Sequence, residues 1–182
     1  FLEAAGFTID DDGSIIVADV IRGALVKVDP ATGDRVVISS SNLGVGSGPL
    51  FDGPVDPEIT ADGTIYVTNS VALNVLAVDP VTGDRTLVSG AGAGNGPAFQ
   101  GPTGLLIDTD GSLLVSDTIA PALFRVDPAS GNRSLVSGLG TGSGPALQAP
   151  GDVILEPAGS LLLVDALLPG IFRIEPATGE RV

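Results

Sequence analysis

A chain of 182 residues, 43% hydrophobic, is long enough to bury a core, yet aromatics are only 4% and Trp is absent. That core must be Val, Leu, Ile and Ala, which suits β-strands. A net charge of −14 argues against nucleic acid and anionic membrane surfaces, both of which call for Lys and Arg, and the absence of Cys and His removes disulfides, thiolate metal sites and the commonest general base.

The first unit sets the pattern. Phe7–Asp10 is a short apolar strand, A; Asp12-Gly13 is a hairpin turn; Ile15–Ala18 is strand B; Leu25–Val28 is strand C. Val28–Arg35 (VDPATGDR) is a second turn, in which Pro30 fixes φ, the preceding Asp caps with its carboxylate and Gly33 takes the left-handed position. Val36–Ser39 is strand D.

The turn returns as Val78–Arg85, Val126–Arg133 and Ile174–Arg181, at offsets of 50, 48 and 48 residues. Around it, unit 2 repeats the frame with Ile65–Thr68 and Val75–Val78. Unit 3 does so with Gly104–Asp108, Ser112–Ser116, Ala122–Val126 and Arg133–Ser137, and unit 4 with Val153–Leu155, Leu161–Val164 and Ile171–Ile174. Four short antiparallel strands per period predict an all-β fold, a β-propeller of four-stranded blades. The blades fall near 1–50, 51–98, 99–146 and 147–182, within one propeller domain or propeller fragment. No unit holds a 3.6-residue apolar period over three turns, so a helical solenoid is excluded.

Unit 4 reaches Val182 where its strand D is due. Further blades, another chain or self-assembly are therefore expected to complete the ring. Phe1–Gly6 does not read as a signal peptide and there is no initiator Met, so a processed product or a piece of something longer is expected. The richest apolar stretch, Ser160–Phe172, is broken by Asp165 and Pro169, so no membrane insertion is expected.

In such a blade the A–B and C–D turns share one end and the B–C and D–A loops the other. The turn end collects acidic residues, among them Asp10, Asp12, Asp29, Asp79, Asp108, Asp110, Asp127 and Glu175. These are turn-forming residues, or fragments of a calcium loop that lack its later ligands. At the other end the B–C loops are apolar in every unit, giving Val20 and Ile21, Val71 and Leu73, Ile119 and Pro121, and Leu167 and Leu168 as candidate partner-binding residues. Two readings stand: the loops bury these side chains locally, or they dock a protein partner or further copies of the chain.

Strand B ends in Asp19, Asn69, Asp117 and Asp165. Each caps its own loop, or together they offer oxygen ligands to a hard cation. Asp56, Glu58, Asn69 and Asp152 form the candidate metal set, with Ca2+ the one cofactor in view. Arg35, Arg85, Arg133 and Arg181 recur beside the turn, where pairing with a neighbouring Asp or Glu is the expected role. Ser112, Ser116, Ser137 and Thr118 have no partner base and read as strand or turn residues.

Gly96-Pro97-Ala98-Phe99-Gln100-Gly101-Pro102-Thr103-Gly104-Leu105-Leu106-Ile107-Asp108, and the related run from Gly138 to Gly151, resemble the NHL repeat over nearly the whole chain. The resemblance implies a propeller and leaves function open, since the fold hosts binding proteins, hydrolases and lyases. NHL repeats carry polar residues in the loop after strand B, where this chain is apolar. The expected function is a non-enzymatic scaffold for protein interaction or self-assembly through the apolar loop face, in an extracellular or periplasmic setting. The alternative is a calcium-dependent lactonase or hydrolase of the gluconolactonase or strictosidine-synthase-like type. The Pro-Asp-Gly motif of such lactonases maps onto Pro102-Thr103-Gly104 and Pro150-Gly151-Asp152, where its Asp is missing.

Overall fold

The computed structural model describes residues 1–182. It contains fifteen strands and no helix. Blade 1 is β1 (Ala4–Ile9), β2 (Ile15–Asp19), β3 (Ala24–Val28) and β4 (Arg35–Ser40); blade 2 is β5 (Pro54–Ile59), β6 (Ile65–Asn69), β7 (Asn74–Val78) and β8 (Arg85–Ser89). Blade 3 is β9 (Pro102–Ile107), β10 (Leu113–Asp117), β11 (Ala122–Val126) and β12 (Arg133–Gly138); blade 4 is β13 (Pro150–Leu155), β14 (Leu161–Asp165) and β15 (Gly170–Ile174). Strands pair antiparallel in chain order, four per sheet in blades 1 to 3 and three in blade 4, where Arg181 adds a single bridge to Ile174. The fold class is the predicted β-propeller, with four blades. The chain divides into two compact units, Phe1–Val88 and Ser89–Val182.

The turns form as the sequence predicts. Gly13, Gly63, Gly111 and Gly159 close the A–B hairpins at positive φ. In the C–D turn of blade 1, Asp29 accepts the Ala31 N–H at 2.8 Å and the Gly33 N–H reaches back to the Asp29 carbonyl at 2.7 Å. Blades 2 and 3 repeat both bonds.

In each unit the core lies between two blades. Ile16, Ala18, Leu25 and Ile38 of blade 1 pack against Ile65, Val67, Leu76 and Val78 of blade 2. Leu114, Leu123 and Val136 of blade 3 pack against Val153, Leu161, Leu163 and Ile174 of blade 4. Strands B and C are apolar on both faces because a propeller blade is built to sit between neighbours; every residue of β10 is buried. Each large side chain so buried stabilises the fold by about 1.5–3 kcal/mol.

Polar contacts fix the spacing of those blades. The Arg85 guanidinium, 5% exposed, donates through Nε to the Pro49 carbonyl at 2.7 Å. Its Nη1 donates to Ser39 Oγ at 2.7 Å and to the Val45 carbonyl at 3.1 Å. Ser39 Oγ donates in turn to the Gly83 carbonyl at 2.6 Å, and the Phe51 ring lies 5.1 Å from the guanidinium carbon. One side chain thus ties strand D of blade 1, the glycine-rich linker and the C–D turn of blade 2.

In the second unit Arg133 repeats the pattern with Pro97, Ser89 and Ala93, and Arg181 with Pro145, Ser137 and Thr141. The ion-pair role expected for these arginines is therefore corrected, since their acceptors are carbonyls and serines 36 to 46 residues upstream. The linker approaches so closely that a Cβ on Gly46, Gly94 or Gly142 would collide with the carbonyl of Gly83, Gly131 or Gly179. Arg35 occupies the same position in blade 1, but it is exposed and its guanidinium meets only the Phe1 ring, 4.6 Å away.

This contrast sets an expected outcome. Arg133→Lys keeps the charge and loses the planar fork, so it lowers unfolding stability by about 2 kcal/mol. Arg35→Lys changes it by less than about 0.5 kcal/mol. Urea unfolding of the two variants checks this, and equal losses would refute the latch.

Candidate interaction site

The loop end of each blade is built around the last residue of strand B. Asp165, 3% exposed, accepts N–H groups from Gln148 at 2.8 Å, Ala149 at 3.1 Å, Leu167 at 3.1 Å and Leu168 at 2.9 Å. Asp117 accepts from Gln100, Ile119 and Ala120, and Asp19 from Leu2, Glu3 and Arg22. Asn69 accepts the Asp52 N–H at 2.7 Å and donates Nδ2 to the Leu50 carbonyl and Asn74 Oδ1. Each side chain pins its own B–C loop, the linker entering its blade, or both. Of the two readings open for these four residues, capping is the one the geometry displays.

Burial works to raise the Asp165 and Asp19 carboxyls, but the backbone N–H groups outweigh it and hold both below the ordinary range.

The cap also directs the loop. In blades 3 and 4 the carboxylate holds the N–H two residues on, in Ile119 and Leu167, while in blade 1 it takes the Arg22 N–H and in blade 2 the Val71 N–H goes to the Asp52 carbonyl; in every blade the side chain two residues past the cap is turned outward. That position is Ile21, Val71, Ile119 and Leu167, exposed by 59%, 64%, 64% and 68%. The local-burial reading therefore fails at these four positions. Leu73 is exposed as well, while Val20, Pro121 and Leu168 are half-buried.

Leu73 stands at φ 56, where blade 1 has Gly23 at the same φ, so a branched side chain is held in the left-handed region at a cost of about 1–2 kcal/mol. In the first unit the loops of blades 1 and 2 border a groove of about 550 Å³ with the linker Pro49–Gly53, lined by Val20, Ile21, Asn42, Phe51, Ala72 and Asn74.

No group of three or more acidic side chains is placed to hold a metal ion. Within the proposed metal set, Asn69 is engaged as a cap, Glu58 accepts from Thr8 Oγ1 at 3.4 Å, and Asp152 is exposed and accepts the Val153 N–H. Asp56 sits on β5, its N–H donating to Thr68 Oγ1 at 3.1 Å. On the turn end, Asp10 and Asp12 bind Lys27 at 2.6 and 2.9 Å, and Asp108 binds Arg125 at 2.7 Å. The calcium-loop fragments are thus engaged with strand C cations.

The hydroxyls read as structural are bonded structurally. Ser116 accepts the Gly104 N–H, Thr118 donates to the Pro150 carbonyl, and Ser137 donates to the Gly179 carbonyl.

No family model matches the chain, and no curated protein matches it either. Among solved structures it is similar to virginiamycin B lyase from Staphylococcus aureus (TM-score 0.71, 13% identity, 97% of this chain and 54% of that one). It is similar also to a gluconolactonase from Xanthomonas campestris (TM-score 0.72, 18% identity, 98% and 60%). A third is the extracellular domain of a Bacteroides thetaiotaomicron protein described as a one-component system (TM-score 0.72, 16% identity, 99% and 24%). The chain spans about half the length of the first structures it matches. At these identities the likeness shows the propeller fold.

Two outcomes follow from the caps. Both carboxyl pKa values are lowered on folding, so their stabilisation is present above the unfolded value and fades as pH falls through the folded one, below about pH 4. Asp19→Asn with Asp165→Asn should flatten the acid limb of the unfolding midpoint against pH, and an unchanged limb would contradict the capping role. Leu73→Gly relieves the left-handed strain and raises stability by about 0.5–1 kcal/mol, net of the extra freedom gained by the unfolded chain; thermal unfolding reads the shift.

Proposed function

We propose that this chain is a propeller module that works by association, docking a protein partner through the outward side chains of its B–C loops. One observation carries the reading: all four blades present a large, exposed apolar residue at the same position, two after a buried cap. Isolated exposed apolar residues are ordinary, whereas a position repeated in every blade, and in blades 3 and 4 held by the same bond from its own N–H to the cap, is a constructed feature. Asp19, Asp117 and Asp165 also hold N–H groups of their loops, which lowers the ordering cost of binding. The groove beside Ile21 supplies concave surface next to two of these loops.

The NHL-like sequence pattern is consistent with such a module, and the extracellular neighbour with an extracellular or periplasmic setting. The second reading, a calcium-dependent lactonase, draws on the likeness to a gluconolactonase. It is less well supported, because the hydroxyls are committed to backbone partners and no three carboxylates gather.

Two measurements test the docking reading. A photo-crosslinking residue at Ile119 or Leu167 should capture a partner, whereas the same residue at Val81, 91% exposed on a C–D turn, should not; equal capture would count against it. Ile21→Ser, Val71→Ser, Ile119→Ser and Leu167→Ser combined should keep the wild-type unfolding midpoint within about 0.5 kcal/mol and abolish that capture.

A further inference from the structure

The blade–blade core of each unit has two sides, and the chain presents an uncovered example of each. The trailing side is seen in blade 2 as Ile59, Ile65, Val67, Leu76 and Val78, and in blade 4 as Val153, Leu155, Leu161, Leu163 and Ile174, packed against the blade before. Strand register assigns Phe7, Ile9, Ile15, Val17 and Val28 of blade 1 to the places of Val153, Leu155, Leu161, Leu163 and Ile174, and Val26, 4% exposed, to the place of Leu76. There Phe7 is 63% and Ile9 60% exposed, against 2% for Val153. The leading side is seen in blade 1 as Ile16, Ala18 and Leu25, and in blade 3 as Leu106, Leu114 and Leu123. Its counterparts in blade 4 are Leu162, half-buried, and Ile154, Val164 and Ile171, exposed by 54%, 43% and 65%.

Blade 1 also carries the receiving half of the arginine latch. Arg35 and Phe1 stand where Arg85 and Phe51 do, with the cation over the ring. Where Gly83 and Gly179 are closed over by the carbonyl of the preceding blade's strand D, nothing lies within 4 Å of a Cβ on Gly33.

We infer that the trailing face of blade 1 receives the leading face of blade 4 from a second copy of this chain, head to tail. The occupant follows from reciprocity. The pairing needs no new chemistry, because it repeats a packing each unit already contains, and both surfaces belong to the same molecule. Such a contact is heterologous, so it either closes into a ring or runs on. The inference shares with the proposed function the premise that the chain works by association, and it uses a different surface.

Complementation tests it. The mass of the particle is measured by light scattering at about 100 µM protein and about 0.5 M salt, where the Debye length falls to a few ångströms and repulsion between two chains of charge −14 is screened. Wild type should show at least twice the 18.1 kDa chain mass. Phe7→Ser with Ile9→Ser, and separately Val164→Ser with Ile171→Ser, should each stay at one chain mass. Mixed, the two variants should form a one-to-one pair, because one intact face of each kind remains; the single substitutions Phe7→Ser and Ile171→Ser should give the same pattern. A monomeric wild type, or a mixture that fails to pair, overturns the inference. The loop variant should leave the mass unchanged, so failure of head-to-tail pairing and failure of loop docking are read separately.

Discussion

A buried guanidinium between neighbouring blades is the contact on which the rest of the structure depends. Apolar faces press two sheets together, but sliding them by one residue costs little when both sides are Val, Leu and Ile. Arg85, Arg133 and Arg181 remove that freedom. Each has donors in a fixed plane, and its acceptors are a serine on an earlier strand D and carbonyls of a glycine-rich linker. A displaced register would leave a charged group unpaired, in a dry site at Arg85 and Arg181 and a half-buried one at Arg133, at a cost of up to several kcal/mol where it is dry. The linker glycines are required by the same contact, because only a residue without Cβ lets the chain pass so close to the C–D turn. The latch thereby sets the position of the next strand A and of the cap at the end of strand B.

The cap completes the chain of cause. Asp165 binds two N–H groups of the incoming linker and two of its own loop, so the loop inherits the linker's position. Rigid apolar loops follow, and their outward residues become a surface. The same logic makes the outer faces of blades 1 and 4 apolar, with Phe7, Ile9 and Ile171 among their residues, because a blade is apolar on both sides wherever it sits in the series.

The sequence makes the repeat plain, and with it the blades. Val126–Arg133 shows its turn through Pro128 and Gly131, and Ala122–Val126 is strand C to the residue. Strand B lies within one residue of expectation, as in β10 (Leu113–Asp117) against Ser112–Ser116, while strand A begins earlier, as in β1 (Ala4–Ile9) against Phe7–Asp10. The arginine latch is legible only as a recurrence. Beside Asp84, Arg85 looks like half of a surface ion pair, and the carbonyls it serves lie far upstream with nothing in residue type to mark them. A serine four residues after Arg35, Arg85 and Arg133 is the one signal in the sequence that could point to it. The apolar B–C loops are visible in composition, but which side chain points outward depends on loop hydrogen bonds, to the cap at Ile119 and Leu167 and to the Asp52 carbonyl at Val71. Cap and cation ligand use the same oxygens at Asp19, Asn69, Asp117 and Asp165, and only placement separates them.

The most direct test of the latch is a double-mutant cycle between Arg85 and Ser39 in unfolding free energy, with Arg85→Lys, Ser39→Ala and the pair. Contact between the two groups predicts a coupling energy above about 1 kcal/mol, because either substitution alone breaks their shared charge-assisted bond in a dry site. Additive losses would mean that the guanidinium and the serine act independently, and would contradict the claim that the latch sets the spacing of the blades.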